Sequence, residues 1–240
     1  IEERIDRVFE LAGVDSAVMT NDPFDSAEIA CWREGRRVDE RLVPALRIDP
    51  LLNAPATAAT ALAEQGFVTD TEGQRAFLRH WIVKMRPAYM AVSLPPDFGY
   101  PDDTPRGRAI REVVLPVARE FGVPFALMIG VRRAVNPRLG LAGDGQGHAD
   151  LSGLAALLAE NPDVRFLATV LARENHHELC VLGRKFPNLL VFGCWWFVNN
   201  PSLIREITHM RLEMLGMGFV PQHSDARVLE QLVYKWTRFR

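Results

Sequence analysis

The sequence has no long apolar segment, no excess of one charge and no paired-cysteine pattern. Its uncharged apolar runs, at residues 123–131 and 189–198, fall well short of the roughly 20 residues needed to cross a bilayer. The 28 basic and 30 acidic side chains give a net charge of −2 without a block of like charge, which argues against nucleic-acid and membrane partners. Three cysteines without C-x-x-C spacing favour a reducing compartment, so we predict a cytoplasmic protein.

The apolar content is high enough to build a sizeable core. The 240 residues are 48% hydrophobic and 24% charged, which excludes an intrinsically disordered chain. The first twelve residues carry apolar side chains at helical spacing, and Gly13 ends this pattern, so the chain is expected to begin with an amphipathic helix. This segment is too charged for the apolar part of a signal peptide.

Strand-like and helix-like segments alternate along the rest of the chain. The predicted strands are residues 14–20, 42–46, 88–94, 123–131, 164–171, 189–197 and 217–222. The predicted helices are residues 26–33, 55–65, 71–85, 106–121, 151–160, 175–186, 201–215 and 228–239, and residues 136–150 are expected to form an extended loop. Because the strand runs are apolar on successive residues, they indicate parallel strands covered by helices on both faces.

The number of strands defines the expected fold. Seven strands, each followed by helical sequence, stand behind one surplus helix, whereas a (β/α)8 barrel needs eight strands to close. We therefore predict that residues 1–240 form a single α/β domain, a distorted (β/α)8 TIM barrel whose first strand lies N-terminal to Ile1. A doubly wound open sheet is the alternative, but no G-x-G-x-x-G or P-loop sequence follows any strand.

Polar side chains follow the apolar runs, where a barrel places its active site. Arg47 and Arg132 come after two of the runs, and an arginine fork suits a carboxylate or a phosphate, so we predict an anionic small-molecule substrate. Arg47 could equally pair with Asp49. Asp225, which lies between His223 and Arg227 after the last run, is expected to act as a base near a metal ion.

Other polar or aromatic positions have structural interpretations that compete with a functional one. Asn21 and Asp22 precede Pro23, where a turn or a helix cap is the more common role. Trp195 and Trp196 are expected to point to opposite faces of a strand, which would put one in the core and the other in the pocket.

Several segments in the same order resemble the uronate (glucuronate) isomerases of the amidohydrolase superfamily. Residues 192–199 (FGCWWFVN) resemble the family's G-x-W-W-F-N/D segment, and residues 224–227 (SDAR) resemble its T-D-S-R strand end. Residues 20–23 (TNDP), 46–49 (LRID) and 129–133 (IGVRR) are similar to the family's T-D-D-P, F-R-P-D and H-I-G-x-x-R. The likeness extends over nearly the whole chain.

The resemblance implies an enzyme, an aldose–ketose isomerase that interconverts D-glucuronate or D-galacturonate and the corresponding keto-uronate. It implies one divalent metal ion, Zn²⁺ with Mn²⁺ as the alternative, and no organic cofactor; a homo-oligomer is left open. Asp225 would be metal ligand and base, Arg227 would bind substrate oxygens, and Arg47 would hold the carboxylate. The remaining substrate-binding positions that it implies are Arg132, Trp195, Trp196 and His223.

The sequence also departs from the family pattern. It contains no H-x-H, the motif that ends the family's first strand and holds its metal, and Met128 stands in place of the histidine of H-I-G. Two alternatives therefore remain beside the isomerase. One is another amidohydrolase-fold enzyme, a hydrolase or lactonase that acts on a sugar acid, and the other is a barrel that binds a sugar acid without catalysis.

Overall fold

The computed structural model describes residues 2–35 and 39–236, which form an α/β fold around a curled, seven-stranded parallel sheet. Its strand order is β1-β2-β3-β4-β7-β8-β9, and a two-stranded antiparallel hairpin, β5-β6, stands beside it. The strands are β1 (Ala17–Asn21), β2 (Leu42–Arg47), β3 (Met90–Leu94), β4 (Phe125–Ile129), β5 (Val131–Arg132), β6 (Gly145–Gln146), β7 (Phe166–Val170), β8 (Leu189–Phe192) and β9 (Phe219–Val220).

Helices connect successive strands of the sheet. They are α1 (Glu2–Ala12), α2 (Ser26–Arg33), α3 (Asp49–Asn53), α4 (Pro55–Glu64), α5 (Thr71–Met85), α6 (Pro105–Ala109), α7 (Leu115–Phe121), α8 (Ser152–Glu160), α9 (Asn175–Lys185), α10 (Pro201–Leu215) and α11 (Gln231–Trp236). A π-helical segment, Ile110–Val114, joins α6 to α7, and 3₁₀ turns occupy Pro137–Gly143 and Trp196–Val198. None of the helices within the described ranges is both long and apolar enough to span a membrane.

Side-chain caps explain why several helices begin where the sequence predicts. The carboxylate of Asp25 accepts hydrogen bonds from the first backbone N–H groups of α2, and Asp70 does the same for α5 at 2.8 Å from the nitrogen of Gly73. Asn200 caps α10, whose first turn contains Pro201. The predicted helices 26–33, 71–85 and 201–215 are confirmed at both ends.

The main core lies between the sheet and its helices. Strand β3 is buried at every position, and β4 and β7 contribute the fully buried Phe125, Leu127 and Phe166. On the inner face of the curl, a second cluster brings together Ala91, Ala126 and Phe192. The sheet is therefore apolar on both faces, as the runs of successive apolar residues predict.

The structure differs from the predicted elements in four places. The predicted strand 189–197 ends at Phe192, because Gly193 takes a positive φ of 61° and the chain then turns. Residues 49–53, which were not predicted as helical, form α3. The predicted loop 136–150 contains a 3₁₀ turn and β6. The predicted terminal helix 228–239 is observed as Gln231–Trp236, and Ile1 and residues 237–240 lie outside the described residues.

The described residues form a partial barrel of seven parallel strands, which fits the predicted TIM-like barrel, and a first strand N-terminal to Ile1 stays a prediction. Strands β1 and β9 are the two ends of the sheet, and neither pairs with the other. Val220 lies in register with Phe192, whose side chain is in the inner cluster, so Val220 faces inward as well. It is nevertheless 38% exposed, because no other described strand covers this edge.

Candidate active site

The candidate site lies between the two end strands, at the carboxyl end of β9. A cavity of about 410 Å³ separates β1 from the segment that follows β9. One wall is formed by residues 17–20 of β1, and the other by residues 223–229 together with Leu232. His223, Asp225 and Arg227, three of the side chains predicted to be functional, line this cavity together.

Asp225 has an unusual backbone conformation. Its φ of 49° lies in the left-handed region, which residues other than glycine adopt at an energetic cost. The ammonium group of Lys235 donates a hydrogen bond of 2.7 Å to the carbonyl oxygen of Asp225. Asn199 donates from Nδ2 to the carbonyl oxygens of His223 and Ser224, at 2.8 and 3.3 Å. Polar side chains from two other elements thus hold the backbone that carries Asp225.

His223 packs against the end of β8. Its ring centroid is 5.4 Å from that of Phe192, and its Nδ1 is buried without a hydrogen-bond partner among the described residues. Burial lowers the pKa of His223 well below its usual value; nearby Lys235 lowers it further, while the Asp225 carboxylate opposes the shift. The imidazole is therefore neutral at pH 7, and its nitrogens can accept or donate one hydrogen bond each.

Gly193 makes the close approach of His223 possible. A Cβ atom on Gly193 would lie 2.0 Å from the Cβ of His223, which is far too close for two non-bonded carbon atoms. The nitrogen of Gly193 donates to the carbonyl oxygen of Val220 at 2.7 Å, which continues the pairing of β8 with β9 by one residue. Glycine at this position thus brings the segments after β8 and β9 into contact.

Arg47 lies on the inner face of the sheet, in register with Ala91, but does not line the cavity. Its Nε donates to Oδ2 of Asp49 at 2.9 Å, and Oδ1 of Asp49 accepts from the nitrogen of Ser93. The alternative interpretation, a pair with Asp49, is therefore present. The side chain of Arg47 is still 39% exposed, so its terminal guanidinium nitrogens remain accessible.

Asp22 has the local structural role that the sequence favours for it. Its Oδ1 accepts a hydrogen bond of 2.9 Å from the nitrogen of Phe24, which is a local turn. Burial raises the pKa of Asp22, and the bond from Phe24 and the charge of Arg47 offset this only in part. The neighbouring Asn21 donates from Nδ2 to Glu28 in α2, at 3.2 Å.

The tryptophan pair does not alternate across a strand, so that prediction is wrong. Trp195 lies in the loop after β8, where it is buried against Val131 and Leu171. Trp196 opens a 3₁₀ turn with a φ of 47°, and its ring stacks on Phe197 at 4.6 Å. One of the two is a core residue, as predicted, but neither lines the cavity beside Asp225.

Arg132 and Arg227 are both exposed. Arg132 belongs to the β5-β6 hairpin, and its side-chain stem passes beside Gly147, where a Cβ would lie 2.8 Å from Cδ of Arg132. Its neighbour Arg133 forms an ion pair with Asp144, whereas Arg132 has no carboxylate partner within residues 2–35 and 39–236. The geometry therefore joins Arg227 to the cavity and leaves Arg132 outside it.

The described residues do not by themselves make a metal centre. No group of three His, Cys, Asp or Glu side chains among them is close enough to hold a metal ion. From this chain the cavity offers the carboxylate of Asp225 and the neutral imidazole of His223.

No protein-family model matches the sequence, and no curated protein sequence matches it. Among solved structures, a uronate isomerase from Bacillus halodurans C-125 is 53% identical over 98% of this chain, with a TM-score of 0.95. This chain belongs to the uronate isomerase family. It covers 58% of the length of the Bacillus protein, which is less than two thirds.

Two further uronate isomerase family structures share the fold at lower identity. A uronate isomerase from Thermotoga maritima is 17% identical, with a TM-score of 0.78, and this chain covers 61% of it. A glucuronate isomerase from Caulobacter crescentus is 18% identical, with a TM-score of 0.74, and this chain covers 57% of it. In both cases the alignment includes at least 96% of this chain, so nearly all of its fold is present in the two structures.

Several residues of the candidate site could not be recognised from the sequence. Both amide atoms of Gln222 are buried without a hydrogen-bond partner in the described part of the chain, directly before His223. Asn199 is a polar residue after a predicted strand and belongs to the FGCWWFVN segment, but neither feature indicates its contact with residues 223–224, and no sequence pattern indicates the contact of Lys235. Of these, Gln222 carried a usable signal, because it is a polar residue at the end of an apolar run in front of the predicted site residues.

Proposed function

We propose that the protein containing this chain is a metal-dependent isomerase that interconverts an aldo-uronate, D-glucuronate or D-galacturonate, and its keto-uronate. One observation carries the proposal. Asp225 lines a cavity with His223 and Arg227 at the carboxyl end of the last strand, in a chain 53% identical to a uronate isomerase from Bacillus halodurans C-125. Membership of the amidohydrolase superfamily is part of the proposal, as is action on a small sugar acid.

The reaction needs a base and a means of stabilising negative charge. The base removes the proton from C2 of the aldose, the electron pair forms the enediolate, and the same proton returns to C1. The hydroxyl proton on O2 moves to O1, so the aldehyde becomes an alcohol and C2 becomes a ketone without an external oxidant. We assign the base to Asp225 and the stabilisation of substrate oxygens to Arg227, since a cationic fork favours the charge that develops there.

The substrate carboxylate is assigned to Arg47. Its Nε is already engaged by Asp49, which fixes the plane of the guanidinium, and the remaining nitrogens can bind a carboxylate in two-point fashion. His223, which lines the cavity, stays a predicted substrate contact, as do Arg132, Trp195 and Trp196, although these three lie outside the cavity lining. The neutral state of His223 suits a hydrogen bond to a sugar hydroxyl, which can both donate and accept.

A divalent metal ion, Zn²⁺ with Mn²⁺ as the alternative and no organic cofactor, belongs to the same proposal. Asp225 is the ligand that we assign from this chain, and the proposal places further ligands elsewhere in the complete gene product, since the described residues provide no group of three. When bound, such an ion supplies a Lewis acid for a substrate oxygen. Metal analysis of the complete gene product tests this assignment directly.

We further propose that an eighth strand, from outside this chain, lies between β1 and β9 and closes a distorted (β/α)8 barrel. The unpaired edges of both strands, the cavity between them and the exposure of the inward-facing Val220 support this. A crystal structure of the complete gene product tests it, since the strand is then seen or not. A cytoplasmic location and a homo-oligomer are also part of the proposal, while nucleic-acid and membrane partners are not expected.

The decisive experiment compares the complete gene product with its Asp225→Asn variant. Loaded with Zn²⁺ or Mn²⁺, the unsubstituted protein is expected to convert D-glucuronate or D-galacturonate, and loss of the base should lower kcat by about 10³-fold. Asp163→Asn is the matched control, because that carboxylate pairs with Arg119 at the surface, and it should leave kcat within about twofold. Absence of turnover, or an Asp225→Asn variant as active as the control, would refute the proposal.

A hydrolase or lactonase acting on a sugar acid is the second candidate. Met128 favours it, because the family histidine would stand there and the thioether instead packs with apolar side chains. A screen of sugar acids and their lactones against the same metal-loaded protein separates the two reactions. Saturable uronate binding without turnover and without bound metal would instead support a non-catalytic binding barrel.

A further inference from the structure

We propose that Asn199 is a positioning residue: its carboxamide holds the backbone of residues 223–224 so that Asp225 lines the cavity. The proposal rests on the proposed function, because Asp225 is the base only in that reaction. It concerns a contact between two loops that are far apart in the sequence, and it assigns a task to a side chain that does not itself line the cavity.

The side chain of Asn199 contacts two successive carbonyl groups of the loop after β9. Nδ2 of Asn199 is 2.8 Å from the carbonyl oxygen of His223 and 3.3 Å from that of Ser224. These are the two carbonyl groups that immediately precede Asp225. Because an amide nitrogen carries two N–H bonds, one side chain can fix two successive peptide planes.

These hydrogen bonds lie next to a residue in the left-handed backbone conformation. Asp225 has a φ of 49° although it is not a glycine, so contacts with the surrounding structure have to maintain this conformation. The hydrogen bond from Lys235 to the carbonyl oxygen of Asp225 holds the segment on the side after the residue. Asn199 holds the segment on the N-terminal side of Asp225, and together the two contacts determine the direction of the Asp225 side chain.

Asn199 is itself held in place by the 3₁₀ turn before it. Its nitrogen donates to the carbonyl oxygen of Trp196 at 3.0 Å, which closes the 3₁₀ turn. The next residue, Asn200, caps α10 by accepting from the nitrogen of Leu203. Two adjacent asparagines thus have separate tasks: Asn200 begins a helix, and Asn199 reaches across to the loop after β9.

The same substitution, asparagine to aspartate, can be made at Asn199 and at the adjacent Asn200 and its effects compared. Asn199→Asp removes both N–H donors and places carboxylate oxygens against two carbonyl oxygens, so the segment should move away. Asn200→Asp introduces the same charge in the same loop but keeps the oxygen that caps α10. In the complete gene product, kcat should fall about 100-fold in Asn199→Asp with KM within about threefold, and stay within about twofold in Asn200→Asp.

A second readout does not depend on catalysis. Hydrogen–deuterium exchange of the amides of residues 223–226 should be faster in Asn199→Asp than in the unsubstituted protein, and unchanged in Asn200→Asp. Asn199→Gln keeps the donors on a longer side chain and should recover at least about a tenth of kcat. If Asn199→Asp does not fold, Asn199→Ser replaces it, with an expected kcat loss of about tenfold.

The outcomes separate this proposal from the proposed function. If the unsubstituted protein converts no uronate, the proposed function fails, while the exchange measurement still tests whether Asn199 orders residues 223–226. If it does convert a uronate and Asn199→Asp keeps both kcat and the exchange pattern, the positioning role is overturned. An equal loss of activity in both asparagine variants, or a loss confined to KM, also contradicts it.

Discussion

The middle of the sheet and the end formed by β9 and the segment after it are held by different interactions. Strands β3, β4 and β7 pair over five residues each, and β3 is buried at every position. Strand β9 has two residues, and the inward-facing Val220 is partly exposed. Apolar packing therefore specifies the middle of the sheet, whereas the ends leave open the space in which the candidate site lies.

The two regions also use polar groups differently. In the middle of the sheet, the backbone hydrogen bonds of parallel pairing satisfy the peptide groups, and side chains supply the apolar surface. Beyond β9, side chains satisfy the peptide groups, because Asn199 and Lys235 donate to three successive carbonyl oxygens. A site built in this way can hold Asp225 in the left-handed backbone conformation without burying it in the core.

The largest expected effect on stability tests the packed middle. Leu127→Ala in β4 removes a fully buried side chain and should lower the free energy of unfolding by about 3 kcal/mol, from lost apolar burial and the cavity left behind. Leu139→Ala is the matched control at an exposed position and should cost less than about 0.5 kcal/mol. Urea unfolding at pH 7 measures both, and similar values for the two variants would contradict the description of β4 as core.

An element could be predicted from the sequence where its limits depend on local contacts, and not where they depend on residues far away in the chain. Helix α5 was predicted at both ends, because the capping Asp70 and the apolar spacing are local features of the sequence. The end of β8 was placed too late, because the turn at Gly193 depends on the approach of His223, thirty residues later. An apolar run continues through this turn, so periodicity alone could not locate it.

Predictions about the site succeeded where the relevant contacts are close in sequence. The pair between Arg47 and Asp49 could be considered from their spacing alone, and it is present. His223, Asp225 and Arg227 lie on one segment and meet at one cavity. The contact of Asn199 with the loop after β9 spans more than twenty residues, and no pattern in either loop indicates it.

The next prediction uses pH to test a buried group beneath the middle of the sheet. Burial of His176 in α9, helped by the nearby charge of Arg211, lowers the pKa of its imidazole to about 3. The unfolded chain has a value near 6.5, so below about pH 6.5 the unfolded state binds more protons and folding stability falls. This contribution is complete above pH 6.5 and is lost progressively down to about pH 3.

Between pH 7 and pH 5, His176 should therefore reduce the free energy of unfolding by about 2 kcal/mol. In His176→Asn this decrease should be smaller by that amount, whereas His209→Asn, at an exposed position of α10, should retain the decrease of the unsubstituted protein. Urea unfolding at the two pH values gives the differences. A His176→Asn variant with an unchanged pH dependence would show that the histidine is not neutral in the folded protein.

The smallest expected effect returns to the edge of the sheet and tests whether it is open. Val220→Ala in the complete gene product should cost about 1 kcal/mol if the proposed eighth strand packs on this side chain, because two buried methyl groups are then lost. Val83→Ala, at a 63% exposed position of α5, is the matched control and should remain within about 0.5 kcal/mol of zero. If Val220→Ala costs no more than Val83→Ala, Val220 lies at an open edge, and the proposal of a strand between β1 and β9 loses its support.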